Sequence, residues 1–136
     1  MALNIEDRIA ISELISMHGH LCDDGELDRL GELFTDDVVY DVSDFGMDPL
    51  AGVEAIRAAA FALGEANPVG HHVTNIVLRE GEGGHVLARS KGIGVNADGT
   101  SGSVTYEDTL VPTDQGWRIS HRKVVARRVP LSGRTK

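Results

Sequence analysis

Apolar residues recur at three- and four-residue spacing through the first part of the chain and at alternate positions through its second half. From Ile5 to about Cys22 the positions Ile11, Leu14, Ile15, His18, Leu21 and Cys22 mark one face of an amphipathic helix, which puts His18 on the buried side. Asp23-Asp24-Gly25 closes that helix, and Leu27, Leu30, Leu33 and Phe34 continue the pattern into a short second one. Asp36-Asp37 then turns the chain into Val38-Val39-Tyr40-Asp41-Val42, a β-branched run that reads as a strand, and Gly46 to Gly52 reads as a loop. The alanine-rich stretch from Val53 to about Leu63 carries Val53, Ile56 and Leu63 as the apolar stripe of a third helix, closed by Asn67-Pro68.

From there the period changes. His71 to Arg79, His85 to Asn96, Gly102 to Pro112 and Trp117 to Val129 read as strands, separated by the turn sequences Gly81-Glu82-Gly83-Gly84, Asp98-Gly99 and Asp114-Gln115-Gly116. Consecutive strands joined by short turns predict an antiparallel meander, and helices followed by strands predict an α+β domain with the helices on one face of a curved sheet. Gly92 and Gly94, inside the second of these strands, predict a bulge or bend. The chain shows no internal repeat, and its 136 residues fit one domain, 1–136, long enough to bury a single core.

Composition narrows the partners. A net charge of -8 argues against a nucleic-acid backbone as partner, and basic residues gather only in the last stretch, Arg118 to Lys136, which reads as a strand edge and terminus. The single cysteine, Cys22, excludes an internal disulfide and a multi-cysteine zinc site and fits a reducing compartment. The charged start MALNIEDR does not read as a signal peptide, and no apolar run reaches membrane-spanning length, so a soluble, cytoplasmic protein with no membrane partner is expected.

Candidate chemistry centres on His71-His72-Val73-Thr74-Asn75 and on Asp23. Imidazole titrates nearest neutrality, and a carboxylate on one ring nitrogen fixes the tautomer and strengthens the other nitrogen as a base. On an alternating strand His71, Val73 and Asn75 share one face and His72 and Thr74 the other, which selects His71 with Asn75 beside it. The plainer reading is a strand-end histidine pair without chemistry and an Asp23 that only ends its helix, rotated from His18 by about 140° on an ideal helix. Tyr40 shares its face with Val38 and Val42, which suits core packing; Asp108 follows Val104 and Tyr106 at period two on an apolar face, where it lines a pocket or masks an edge. His121 reads as solvated, and Cys22 as a small buried hydrophobe. His71 and His72 point to opposite faces, so no metal site follows, and the glycine-rich turn 81–84 lacks the following helix of a phosphate loop, so no nucleotide cofactor is expected.

The run Ile11-x-x-Leu14, His18, Asp23-x-Gly25-Glu26-x-Asp28-x-Leu30-x-x-Leu33-Phe34-x-Asp36-Asp37, with Tyr40, Gly52, His71-x-x-x-Asn75 and Gly116-Trp117-Arg118-Ile119, resembles the SnoaL-like branch of the nuclear-transport-factor-like superfamily. The resemblance spans nearly the whole chain. It implies a cone-shaped α+β barrel, three helices packed on a strongly curved, mainly antiparallel sheet around one deep pocket. Similar proteins include scytalone dehydratase, the lindane dehydrochlorinase, steroid Δ-isomerases and polyketide cyclases. Their Asp at the end of the first helix and His opening a later strand match Asp23 and His71. A cationic pair of the dehydrochlorinase type falls on His18 and Arg122, although His18 stands where the dehydrochlorinase has a lysine and scytalone dehydratase a tyrosine. Alternation sets Arg122 opposite Trp117, Ile119 and His121, and leaves open which face lines the pocket.

The implied function is a cofactor-independent lyase or isomerase working on a mostly apolar small molecule by dehydration, elimination, isomerisation or cyclisation. Asp23 and His71 would abstract the proton, His18, Arg122 or Tyr40 would stabilise the developing charge, and Asn75 and Asp108 would bind or orient substrate. The alternatives are an epoxide-type hydrolase with the same dyad, a non-catalytic ligand-binding protein, or a partner subunit resembling the small subunits of ring-hydroxylating dioxygenases. The resemblance also implies a homo-oligomer, dimer or trimer, formed through the open sheet face.

Overall fold

Helix α1 (Ile5–Asp23) starts where the Asn4 side chain accepts from the Asp7 amide at 2.8 Å, with Glu6 and Asp7 at the positive end of the helix dipole. The computed structural model describes residues 3–135. Ile11, Ile15 and Leu21 are buried along α1, and so is His18, as the helical spacing requires. Gly25, at a left-handed φ of +70°, turns the chain away.

The segment expected as a second helix is a short 3₁₀ helix, Leu27–Glu32. Leu27, Leu30 and Leu33 lie three apart, and three residues per turn stack them in one line, so the tighter winding buries all three together. Phe34, expected at the end of that helix, instead opens β1 (Phe34–Asp41). Inside the expected loop, the two-residue strand β2 (Leu50–Ala51) pairs antiparallel with β1. Helix α2 (Val53–Leu63) has the expected bounds.

The remaining strands are β3 (Gly70–Glu80), β4 (Val86–Val95), β5 (Ser101–Thr113) and β6 (Gly116–Ala126), in the sheet order β2-β1-β6-β5-β4-β3. The four long strands form the expected antiparallel meander, while β1 runs parallel to β6 and makes the sheet mixed. The sheet stays open, with β2 and β3 at its edges, where the family resemblance implied a barrel.

Two bulges set which side chains face the helices. In β3, Asn75 and Ile76 together oppose Ser90, between the pairs Thr74–Lys91 and Val77–Arg89, and Asn75 takes a left-handed φ of +58°. In β6, Ser120 is the extra residue between Ile119 opposite Leu110 and His121 opposite Thr109. Neither falls at Gly92 or Gly94, which keep regular register with β5. The main core lies between α1, the 3₁₀ helix and the sheet, around Ile11, Ile15, Phe34, Val38, Leu110 and Ile119, and a smaller apolar group forms around Val42, Tyr106 and Val124. Along β4, β5 and β6, buried Ser90, Asp108 and Arg122 fall between the two groups. Among the described residues no helix is long and apolar enough to cross a membrane.

Candidate active site

Asp23 is the last residue of α1 and His71 the second of β3, so the helix end delivers a carboxylate to the strand start. The His71 amide donates to both Asp23 oxygens at 3.0 Å, and the ring Nδ1 stands 2.7 Å from Oδ1. A carboxylate only accepts, so in the neutral form of the ring Nδ1 carries the hydrogen and Nε2 the lone pair. The Asp23 and His71 side chains keep 27% and 21% of their surface, so the pair is partly exposed.

His18 lies deeper. Its ring meets those of His71 and Tyr106 edge-on, each at 5.9 Å, and that of Phe34 at 6.3 Å. Burial, reinforced by Arg122 and by His71, holds its pKa well below the usual imidazole value, so His18 is a neutral ring. Nε2 sits 3.5 Å from Cys22 Sγ, and the buried Nδ1 has no protein partner. Burial and the Asp23 charge push the Cys22 thiol up to about 11, which makes it a poor nucleophile.

Arg122 is fully enclosed and donates to Asp108 from Nε at 2.7 Å and from Nη2 at 2.9 Å. Burial alone would lower its pKa, but the Asp108 carboxylate outweighs that and raises it, so the guanidinium is permanently charged. Its carbon lies 4.2 Å over the Tyr106 ring and 6.0 Å from that of Tyr40, and Nη1 has no protein partner. Tyr40, half-buried, packs edge-on to Phe34 at 5.9 Å; burial raises its pKa, so it keeps its O–H. Asp108 and Arg122 cancel in charge. What remains for a ligand is hydrogen-bond donation in a nearly neutral interior.

The fold thus groups Asp23, His71 and His18 at one end of a ring-to-ring chain and Arg122, Asp108 and Tyr40 at the other. Tyr106 joins the two halves and was not among the expected site residues, although its alternation with Asp108 on β5 carried the signal. Asn75 departs from expectation: the β3 bulge turns it to the exposed side, away from His71. His72 and His121 are exposed. Arg122 joins Ile119 on the inner face because Ser120 breaks the alternation between them. A hollow of about 480 Å³ lies on the opposite face of the sheet, over Val77, Leu87, Arg89 and Glu107, and one of about 90 Å³ beside Asp7 and Trp117. Among the described residues no three His, Cys, Asp or Glu side chains converge as a metal set.

Residues 4–123 match the SnoaL-like domain. No curated protein matches in sequence. Among solved structures, the chain is similar to a candidate aromatic ring hydroxylase from Novosphingobium aromaticivorans, at 28% identity over 94% of each chain with a TM-score of 0.78. An NTF2-like protein with a cystatin-like fold from the same species shares 29% identity over 96% of this chain and 86% of its own, with a TM-score of 0.74. A candidate scytalone dehydratase, again from Novosphingobium aromaticivorans, has a TM-score of 0.72 over 98% of each chain at 20% identity, which is likeness of fold.

Proposed function

The chain belongs to the SnoaL-like domain family, and on that premise we propose a cofactor-independent lyase or isomerase in which His71 takes a proton from a mostly apolar small molecule. The observation that carries the reading is the double acceptance by Asp23 of the His71 amide and Nδ1 hydrogens, which leaves Nε2 as the base. The likeness to a candidate scytalone dehydratase supports a small-molecule role.

In the proposed step Nε2 accepts a proton from a carbon next to a carbonyl, and the electron pair moves onto the carbonyl oxygen. The Asp23 charge stabilises the imidazolium that forms. Arg122 Nη1, a buried donor without a protein partner, receives the oxyanion, with the His18 ring and the Tyr40 O–H as further donors. As the enolate collapses, the imidazolium gives its proton to the γ-carbon of a conjugated dienolate, for isomerisation of a β,γ-unsaturated ketone, or to a group whose bond to the β-carbon breaks, for elimination.

The test is hydrogen exchange in D₂O across a panel of enolisable cyclic ketones, read by mass spectrometry. Wild-type protein should put deuterium on the acidic carbon, and His71→Ala should slow this by about 10²–10⁴-fold with the fold intact. Equal exchange by the two proteins would remove His71 as the base. Oxygen-18 from labelled water entering an alcohol hydroxyl of the product, which unlike a ketone oxygen does not exchange, would reassign the dyad to hydrolysis.

A further inference from the structure

Gly19 lies inside α1, one turn before its end at Asp23, buried, where alanine would serve the helix better. The reason for a glycine is on β3. A Cβ built on Gly19 would collide with the His71 carbonyl oxygen and stand 3.4 Å from its carbonyl carbon. By contrast, a Cβ on Gly31 or Gly102 would meet nothing within 4 Å.

Gly19 and Asp23 are four residues apart, one helical turn, and so stand on the same stripe of α1. Two successive rungs of that stripe therefore grip one residue: Gly19 faces the His71 carbonyl, and Asp23 binds its amide and ring at 3.0 and 2.7 Å. The His18 ring, next to Gly19 in sequence, packs edge-on to the His71 ring at 5.9 Å. A methyl group at position 19 must move helix and strand apart by roughly an ångström, enough to break hydrogen bonds that are well made at 2.7–3.0 Å.

We propose that Gly19 is a positioning residue: its missing side chain sets the separation of α1 and β3 at which the Asp23 carboxylate reaches both His71 hydrogens. The proposal rests on the dyad reading above, but it is read out on the dyad itself and not through turnover.

The experiment is nitrogen-15 NMR of the His71 ring, at a pH where the imidazole is neutral, with hydrogen exchange of the His71 amide, in wild type, Gly19→Ala, Asp23→Ala and Gly19→Ala/Asp23→Glu. Wild type should hold the Nδ1–H tautomer and a protected amide. Gly19→Ala should lose both, matching Asp23→Ala, while circular dichroism still shows a folded, cooperatively melting protein. The longer acid of Gly19→Ala/Asp23→Glu should restore the Nδ1–H tautomer by spanning the added gap, a rescue that a purely structural glycine would not show. Gly31→Ala should leave the tautomer unchanged. A Gly19→Ala protein that keeps the wild-type tautomer and amide protection while Asp23→Ala loses them overturns the proposal alone, as does one that no longer folds. A wild-type His71 in the Nε2–H tautomer, indifferent to Asp23→Ala, overturns the dyad reading and the positioning role with it.

Discussion

Asp108 and Arg122 face each other across β5 and β6 with no exposed side-chain surface, joined by hydrogen bonds of 2.7 and 2.9 Å. Removing one partner leaves a buried charge uncompensated, whereas replacing both with apolar residues removes the desolvation cost as well. Asp108→Ala should therefore destabilise the protein by about 3–5 kcal/mol in urea denaturation, and Asp108→Leu/Arg122→Met by much less. A double variant as unstable as the single one would mean that the pair stabilises the fold beyond the cost of burying it.

Tyr106 depends on a glycine across the sheet. A Cβ on Gly92 would lie 2.5 Å from the Tyr106 Cε2 and 2.8 Å from its hydroxyl, and the same ring carries the Arg122 guanidinium at 4.2 Å. Gly92→Ala should cost about 1–3 kcal/mol by overpacking. In a Tyr106→Leu background that cost should shrink, and a double-mutant cycle by thermal denaturation measures the coupling. Additive losses would place the strain in the β4 backbone and not at the ring.

These contacts explain which parts of the fold were legible in the sequence. The α1 stripe, the bounds of α2 and the four long strands follow from periodicity, because each element has one face buried. The bulges do not. Register through an unbulged β5–β6 hairpin would set Arg122 against Glu107 and His121 against Asp108, so a single extra residue at Ser120 puts Arg122 instead of His121 on the buried face. At Asn75 the same effect reverses the face of a residue that alternation had put beside His71. Spacing by threes in Leu27, Leu30 and Leu33 fits a 3₁₀ helix as well as an α-helix, so the pattern alone predicts a short helix and leaves its winding open. The Asp23–His71 contact, joining residues 48 apart, followed from the family resemblance and from no local pattern.

His18 makes stability depend on pH. Burial, then Arg122 and His71, lower its pKa in the folded protein, so below about 6.5 the unfolded chain takes a proton that the native state refuses. The contribution is complete above the unfolded value and is lost as pH falls from about 6.5 toward the folded value, at up to about 1.4 kcal/mol per pH unit. His18→Phe, which keeps an aromatic ring beside Phe34 and Tyr106, should flatten this dependence in urea denaturation between pH 7 and pH 5. An unchanged slope would mean that His18 is protonated in the folded protein, and the neutral-donor role proposed for it would fall.

Asp23→Asn separates orientation from binding in the proposed reaction. If the asparagine turns its amide nitrogen toward Nδ1, the ring takes the Nε2–H tautomer and loses its base; if it turns its oxygen, the tautomer stays but the imidazolium loses its counter-charge. Either route raises the barrier to proton transfer, and about 1.4 kcal/mol of it is tenfold in rate. Asp23 contacts His71 through both the amide and the ring, so its replacement should lower kcat at least about tenfold with KM nearly unchanged, measured on a carbon acid identified by deuterium exchange. A raised KM with kcat intact would instead make Asp23 a substrate-binding group, and the hydrogen bond to His71 would then hold the helix end to the strand and do no more.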